Sequence, residues 1–192
     1  MPINTPAPGS AGLHELISER WSPREFSPRP VDSAQLRSLF EAARWAPSCF
    51  NEQPWRFVIA TQAQPDKFAR ILSLLMEKNQ EWAKEAFVIG FTAGKKTFTQ
   101  TGAPDRFGLY DTGAAAVSLA NQATALGLYA HFMGGFDAQR ARTEFGVPDD
   151  FDIGAAFVVG HLKDGAAVPA TRSRKPLEDM VFDAAWGAPA KF

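Results

Sequence analysis

The sequence predicts a layered protein in which helices pack against a β-sheet, in the α/β or α+β class. Three observations lead there. Four short runs rich in β-branched and aromatic residues, 56–61, 87–93, 128–132 and 153–160, read as strands. Between them lie segments whose apolar residues recur at helical spacing. The chain has 192 residues, 45% hydrophobic and 21% charged, which is enough to bury a core and too apolar for disorder. No repeat or linker divides it, so residues 1–12 read as a flexible leader and 13–192 as a single domain. Strand order does not follow from these patterns.

The elements follow in order. The first ten residues, rich in proline and small side chains, form the leader. A short helix through Leu13, Leu16 and Ile17 runs into Arg20-Trp21-Ser22-Pro23-Arg24. Asp32 and Gln35 have capping-box spacing and start a helix that carries Leu36, Leu39, Phe40 and Ala43 on one face. Pro47 ends it, because the residue before a proline disfavours helical angles. After the strand RFVIAT, a helix beginning near Pro65 presents Phe68, Ile71, Leu72 and Leu75. A strand FVIGFTA follows, then a long helix over 111–126, closed by Gly127. The third strand leads to a helix over 137–145 closed by Gly146, and the fourth precedes a polar, arginine-bearing tail.

Charge and composition exclude several functions. A net charge of −1 gives no general attraction to nucleic acid or to an anionic membrane. One cysteine, Cys49, excludes a disulfide framework within the chain and a multi-cysteine zinc site. His14, His131 and His161 are far apart in sequence, which argues against a metal site, and there is no G-x-S-x-G nucleophile elbow. No signal-peptide pattern or membrane-length apolar run is seen, so a cytoplasmic protein is expected.

Four segments could carry chemistry. Arg20, Ser22 and Arg24 place two guanidinium groups and a hydroxyl at spacings of two, a set suited to a phosphate. Arg172-Ser173-Arg174-Lys175 is a second basic group, and for both a solvated basic turn is the competing reading. The segment 47–55, PSCFNEQPW, is dense in amides and hydroxyls that could line a flat polar ring, or form a turn around a buried tryptophan. Met133-Gly134-Gly135-Phe136-Asp137 allows close backbone approach, although taken alone a simple connector is the better reading. Asp111 and Asp137 read as helix caps. With no acid–base or nucleophile set, the chemistry would belong to a cofactor.

Taken in order, ERWSPREF (19–26), AARWAPSCFNEQPWRF (42–57), DTGAAAVSLANQATALGL (111–128), GGFD (134–137) and RSRKPLED (172–179) resemble the FMN-dependent nitroreductase family, in its small members of approximately 190 residues. The resemblance runs from about Leu13 to Phe182. It implies an α+β sandwich, with a mixed, mostly antiparallel sheet flanked by helices, and an obligate homodimer with FMN at the interface. It assigns Arg20, Ser22, Arg24, Arg172 and Arg174 to the FMN phosphate. Pro47, Ser48, Cys49, Asn51 and Gln53 line the isoalloxazine and ribityl groups, normally from the partner subunit. Asn79 lies against the ring, and Met133, Gly134 and Gly135 form the segment whose backbone approaches flavin N5.

No side chain is expected to be catalytic and no metal is expected. Electrons would pass from NADH or NADPH through flavin N5 to a nitroaromatic, quinone or similar small acceptor in a ping-pong cycle. A dedicated reductase of an enoyl, aldehyde or halogenated metabolite, or a flavin-binding module without activity, are the alternatives. Two departures matter: many members carry glutamate where this chain has Gly134, and the region 94–108 is short, so the acceptor does not carry over. Phe98, Phe107 and Tyr110 are possible covers, or core residues. Cys49 falls beside the flavin, but there is no second cysteine to resolve a disulfide within the subunit, so it is expected to pack as a small residue.

Overall fold

The computed structural model describes residues 12–167 and 172–191, so nearly all of the leader expected over 1–12 lies outside the described residues. Two compact units are present: residues 20–166 form the larger, and 1–19 with 167–192 the smaller. The smaller holds helix α1 (Glu15–Glu19), a 3-10 turn at Leu177–Asp179 and a bridge between Phe182 and Pro189.

The larger unit carries the sheet. Its elements are β1 (Phe26–Ser27), α2 (Ser33–Arg44), β2 (Trp55–Thr61), α3 (Pro65–Leu72), α4 (Glu77–Ala83), β3 (Val88–Lys95), α5 (Gly108–Ala125), β4 (Tyr129–Met133), α6 (Ala138–Phe145) and β5 (Phe151–Leu162). β5 is the organising strand. It pairs with β3, β4 and β1, while β2 extends the sheet beyond β3. All of these pairings are antiparallel.

Strand alternation sorts the core into two layers. Val88, Phe157 and Val159 face one side, where Leu39 and Ala43 of α2 and Ala115, Leu119 and Ala123 of α5 cover them. Their neighbours Ile89, Phe91, Ala156 and Val158 face the other side, against Ile71 of α3, Ala83 of α4 and Ala141 of α6. A one-residue slip of β3 would exchange these two sets, so burial on both faces fixes the register.

The local signals act as expected at several ends. Gln35 N donates to Asp32 Oδ1 at 2.7 Å and Asp32 N to Gln35 Oε1 at 3.3 Å, which completes the capping box of α2. Asp137 caps α6 by accepting from Arg140 N at 2.8 Å, and Gly146 closes it at φ 63°. Other positions differ. The third helix stops at Leu72, so Leu75 leaves the expected helical face and bridges Phe136 instead. β1 and α4 were not expected; β1 is only two residues long and α4 has no apolar period to announce it.

Helix α5 begins at Gly108, earlier than Asp111, because its first turn is pressed against the end of β3. A Cβ at Gly108 would lie 2.0 Å from Lys95 O, and one at Gly94 would lie 2.7 Å from Gly108 O. Two glycines therefore let backbone touch backbone. At the β3–β5 irregularity, Thr92 Oγ1 accepts from Ala155 N at 2.9 Å and takes the place a side chain at Gly154 would need.

Gly108→Ala tests the crossing. Alanine favours a helix over glycine by about 1 kcal/mol. Overpacking against a fixed carbonyl costs about 1–3 kcal/mol, and the clash should win. Chemical unfolding should show a net loss of stability; a gain would mean that the crossing relaxes freely.

Candidate functional site

The larger unit presents two groups of the predicted residues: Arg24 and Asn79 of the first line one cavity, and Asn51 of the second lines another. The first group begins with the loop after α1. The Arg20 guanidinium reaches the Ser22 hydroxyl at 3.5 Å, so these two residues of the phosphate set lie together. Arg24 lies along a groove of about 920 Å³ with Met76, Glu77, Lys78, Asn79, Glu81 and Trp82. Asn79 sits in α4 and donates from Nδ2 to Gly135 O at 3.1 Å, while Met76 N donates to the same carbonyl at 3.0 Å. A Cβ at Gly135 would be 2.8 Å from Asn79 Nδ2, so glycine is what allows this approach. At Gly134 a Cβ would meet nothing within 4 Å, and the backbone there is open. The Met133 side chain is buried in the core, which leaves only its backbone for a ligand.

Ring contacts hold α4 to the sheet: Trp82 packs on Phe26, at a centroid distance of 6.2 Å, and on His131, at 4.6 Å. His131 Nδ1 is 2.7 Å from Pro23 O. A carbonyl can only accept, so Nδ1 carries the proton and ties the Ser22–Arg24 turn to β4. Burial pushes the His131 pKa below its usual value, and nearby Arg24 adds to that against the opposing bond to Pro23. Burial also lowers the pKa of His161 on β5.

The second group is the loop 47–53. Phe50, Asn51 and Gln53 have φ of 51°, 57° and 53°, so three of four consecutive residues without a glycine occupy the left-handed region. Such strain persists only where surrounding bonds over-determine it. Here Cys49 N donates to Asp111 Oδ2 at 2.8 Å and Gln53 N to Ser48 Oγ at 3.0 Å. Gln53 Nε2 donates to Asn51 O at 3.2 Å. Glu52 accepts from Thr99 N at 3.0 Å and from the Thr99 hydroxyl, and Lys95 Nζ is 3.9 Å away. Burial raises the Glu52 pKa, but the Thr99 bonds and Lys95 outweigh it and hold the carboxyl below its ordinary value.

Asp111 is therefore not a helix cap. It is buried in the first turn of α5, and its carboxylate organises the strained loop from 62 residues away in sequence. No local pattern announces that role. Nor does the Cys49 N–H remain for a ligand, since Asp111 takes it. The half-buried thiol has its pKa raised by burial first and then by the Asp105 and Asp111 carboxylates, which opposes formation of a reactive thiolate. Pro47 and Asn51 are exposed beside these bonded residues.

Arg172 and Arg174 lie in the smaller unit. Arg172 donates to Ser18 O, and Arg174 Nη1 to Ser173 O at 2.8 Å. Among the described residues, no cluster of histidine, cysteine, aspartate and glutamate has the geometry to hold a metal ion.

Comparison with known proteins converges on one family. The family model described as "Nitroreductase family" matches residues 17–161. A protein of Leptothrix cholodnii, provisionally named NADH dehydrogenase/NAD(P)H nitroreductase, is 31% identical over 162 residues, covering 73% of this chain and 80% of that one. The uncharacterized 15.4 kDa protein in the ask 5′ region of Mycolicibacterium smegmatis is 38% identical over 92 residues, 44% of this chain; the match spans 62% of that relative's length. A crystal structure described as an oxidoreductase containing FMN superposes with a TM-score of 0.83 at 36% identity, covering 92% of this chain and 93% of that one.

Two measurements check the supporting bonds. Asp111→Ala removes the acceptor of a buried N–H and should cost about 1.5–3 kcal/mol in chemical unfolding. Asp111→Asn, which keeps a carbonyl oxygen, should cost less; equal losses would show that the bond is not responsible. For the histidines, a folded pKa below the unfolded value near 6.5 means that stability is present above pH 6.5 and lost as pH falls through the folded pKa. The unfolding midpoint should drop between pH 7 and pH 5, less steeply in His131→Gln. An unchanged slope in that variant would exclude His131 as a source.

Proposed function

The chain belongs to the nitroreductase family, and from that premise we propose that it is an FMN-dependent oxidoreductase that passes electrons from NADH or NADPH to a nitroaromatic, quinone or similar small acceptor. The observation that carries this reading is the groove lined by Arg24 and Asn79, with Asn79 bonded to Gly135 O. Its chemistry fits FMN. Guanidinium groups and a hydroxyl suit the phosphate, and an open glycine backbone beside an amide side chain suits a flat, polar ring. The similarity to an FMN-containing oxidoreductase at 36% identity supports the same cofactor.

In this reading Arg20, Ser22 and Arg24 hold the phosphate, while Arg172 and Arg174 join them on the family resemblance alone. Asn79 is fixed by Gly135 O and presents its amide to the ring edge, with the backbone at Gly134 open beside it. Bound flavin supplies the two-electron chemistry in a ping-pong cycle. The protein binds the cofactor, orients it and biases its charge, because positive groups and N–H donors favour the reduced anion. No side chain is required as a general acid.

Pro47, Ser48, Cys49, Asn51 and Gln53 belong to a loop of which Asn51 lines a cavity other than the Arg24 groove, which supports assigning them to the flavin of a second subunit. Large apolar side chains left exposed just after α2 and on α5, among them Trp45, Tyr110 and Val117, are consistent with a homodimer.

Purified protein should be yellow and release FMN on denaturation, and it should oxidise NADH or NADPH faster when a nitro acceptor is present. Release of FAD, or no binding after reconstitution with excess FMN, would sink the assignment. Arg24→Ala should weaken FMN binding by about 1.5–3 kcal/mol, the scale of a charge-assisted hydrogen bond.

A further inference from the structure

Of the chain's four methionines, Met133 is buried in the core, while Met76 and Met180 are exposed at 64% and 54%. Met1 lies outside the described residues. Core packing accounts for Met133, and nothing of that kind accounts for Met76. It stands at the start of α4 and lines the same groove as Arg24 and Asn79. A thioether held in solvent is polarisable and open to oxidation.

The surroundings of this sulfur give its oxidation a consequence. A Cβ at Gly135 would lie 2.8 Å from Asn79 Nδ2 and 3.4 Å from Met76 Sδ, so the amide and the sulfur approach one point beside Gly135. Asn79 is held there by its bond from Nδ2 to Gly135 O at 3.1 Å, and Met76 N donates to the same carbonyl at 3.0 Å. A thioether is a weak acceptor and leaves the Asn79 bond intact. Oxidation makes the side chain polar, and the new oxygen on Sδ competes with Gly135 O for the Asn79 amide. The thiol of Cys49 is a poor rival target. It is half-buried, and burial with the Asp105 and Asp111 carboxylates raises its pKa, which disfavours the thiolate that peroxide attacks.

We propose that Met76 is an oxidation site through which the protein limits its own flavin chemistry: hydrogen peroxide converts it to the sulfoxide, which draws Asn79 from Gly135 O and loosens FMN. The inference rests on the flavin reading of the groove. Without an organic acceptor, NADH or NADPH, one proton and dioxygen yield the oxidised nicotinamide and hydrogen peroxide. The peroxide then passes one oxygen atom to Sδ. Its O–O bond breaks, an S–O bond forms, the sulfur loses two electrons, and the second oxygen leaves as water.

The test incubates FMN-loaded protein with NADH or NADPH in air, without an acceptor, and locates added oxygen atoms by peptide mass spectrometry. Met76 should be oxidised well ahead of Met180, and Met133 should stay unmodified. Protein treated with peroxide and stripped of flavin should bind FMN with a Kd raised about fivefold, the scale of one neutral hydrogen bond. Met76→Leu should remove the effect of peroxide on Kd, Met76→Gln should reproduce it without peroxide, and methionine sulfoxide reductase should reverse it. Unmodified Met76 while peroxide accumulates, equal oxidation of Met180, or an unchanged Kd for the sulfoxide would each overturn the proposal and leave the flavin reading standing. Protein that binds no FMN would overturn both. If NADH and NADPH fail to reduce the bound flavin, reduction by dithionite followed by air decides: oxidised Met76 would uphold the site and remove only the nicotinamide donor, and unmodified Met76 would overturn it.

Discussion

The contact between the end of β3 and the start of α5 is the constraint on which the candidate site depends. Gly94 and Gly108 allow two backbones to meet where any side chain would collide. That contact places Asp111 in a buried first turn, within reach of Cys49 N. An unpaired N–H there would be costly, and a buried carboxylate without donors more so. Each group satisfies the other, and the bond holds a loop with three left-handed residues, none of them glycine. Removing either glycine would displace the carboxylate and, through it, the loop.

The second group of residues depends on a different support. Trp82 packs on Phe26 and on His131, and His131 bonds the Pro23–Arg24 turn directly. Arg24 can remain exposed while its backbone is held from within. Asn79 is placed in the same manner, by a helix whose packing and whose bond to Gly135 O are independent of any ligand. Both groups are thus positioned by contacts made before anything binds, which lowers the entropy that binding must overcome.

These supports also separate the roles of neighbouring residues. Cys49 contributes its N–H to the scaffold and keeps a thiol whose pKa is raised, while Glu52, three residues on, clasps the 95–105 turn. Ser48 is used within the loop, and Asn51 faces outward. A chain with a net charge of −1 can therefore still hold a local basic segment at 20–24.

Local rules in the sequence determined much of this. Asp32 with Gln35, Asp137 and Gly146 set helix ends through bonds made within a few residues, and alternation in 88–91 and 156–159 gave strands buried on both faces. The motifs at 19–26, 42–57 and 134–137 identified the family and the segments that form the candidate site. The sequence did not reveal β1, α4, the early start of α5 or the ending of α3 before Leu75. Those follow from pairing and packing with distant residues, which overrule weak local preference. The same holds for Asp111, His131 and Glu52. Each acts on a partner 47 to 108 residues away, and a hydrogen bond across that separation leaves no periodicity in the chain. Only the tertiary structure decides which donor meets which acceptor, because only folding brings them within 3 Å.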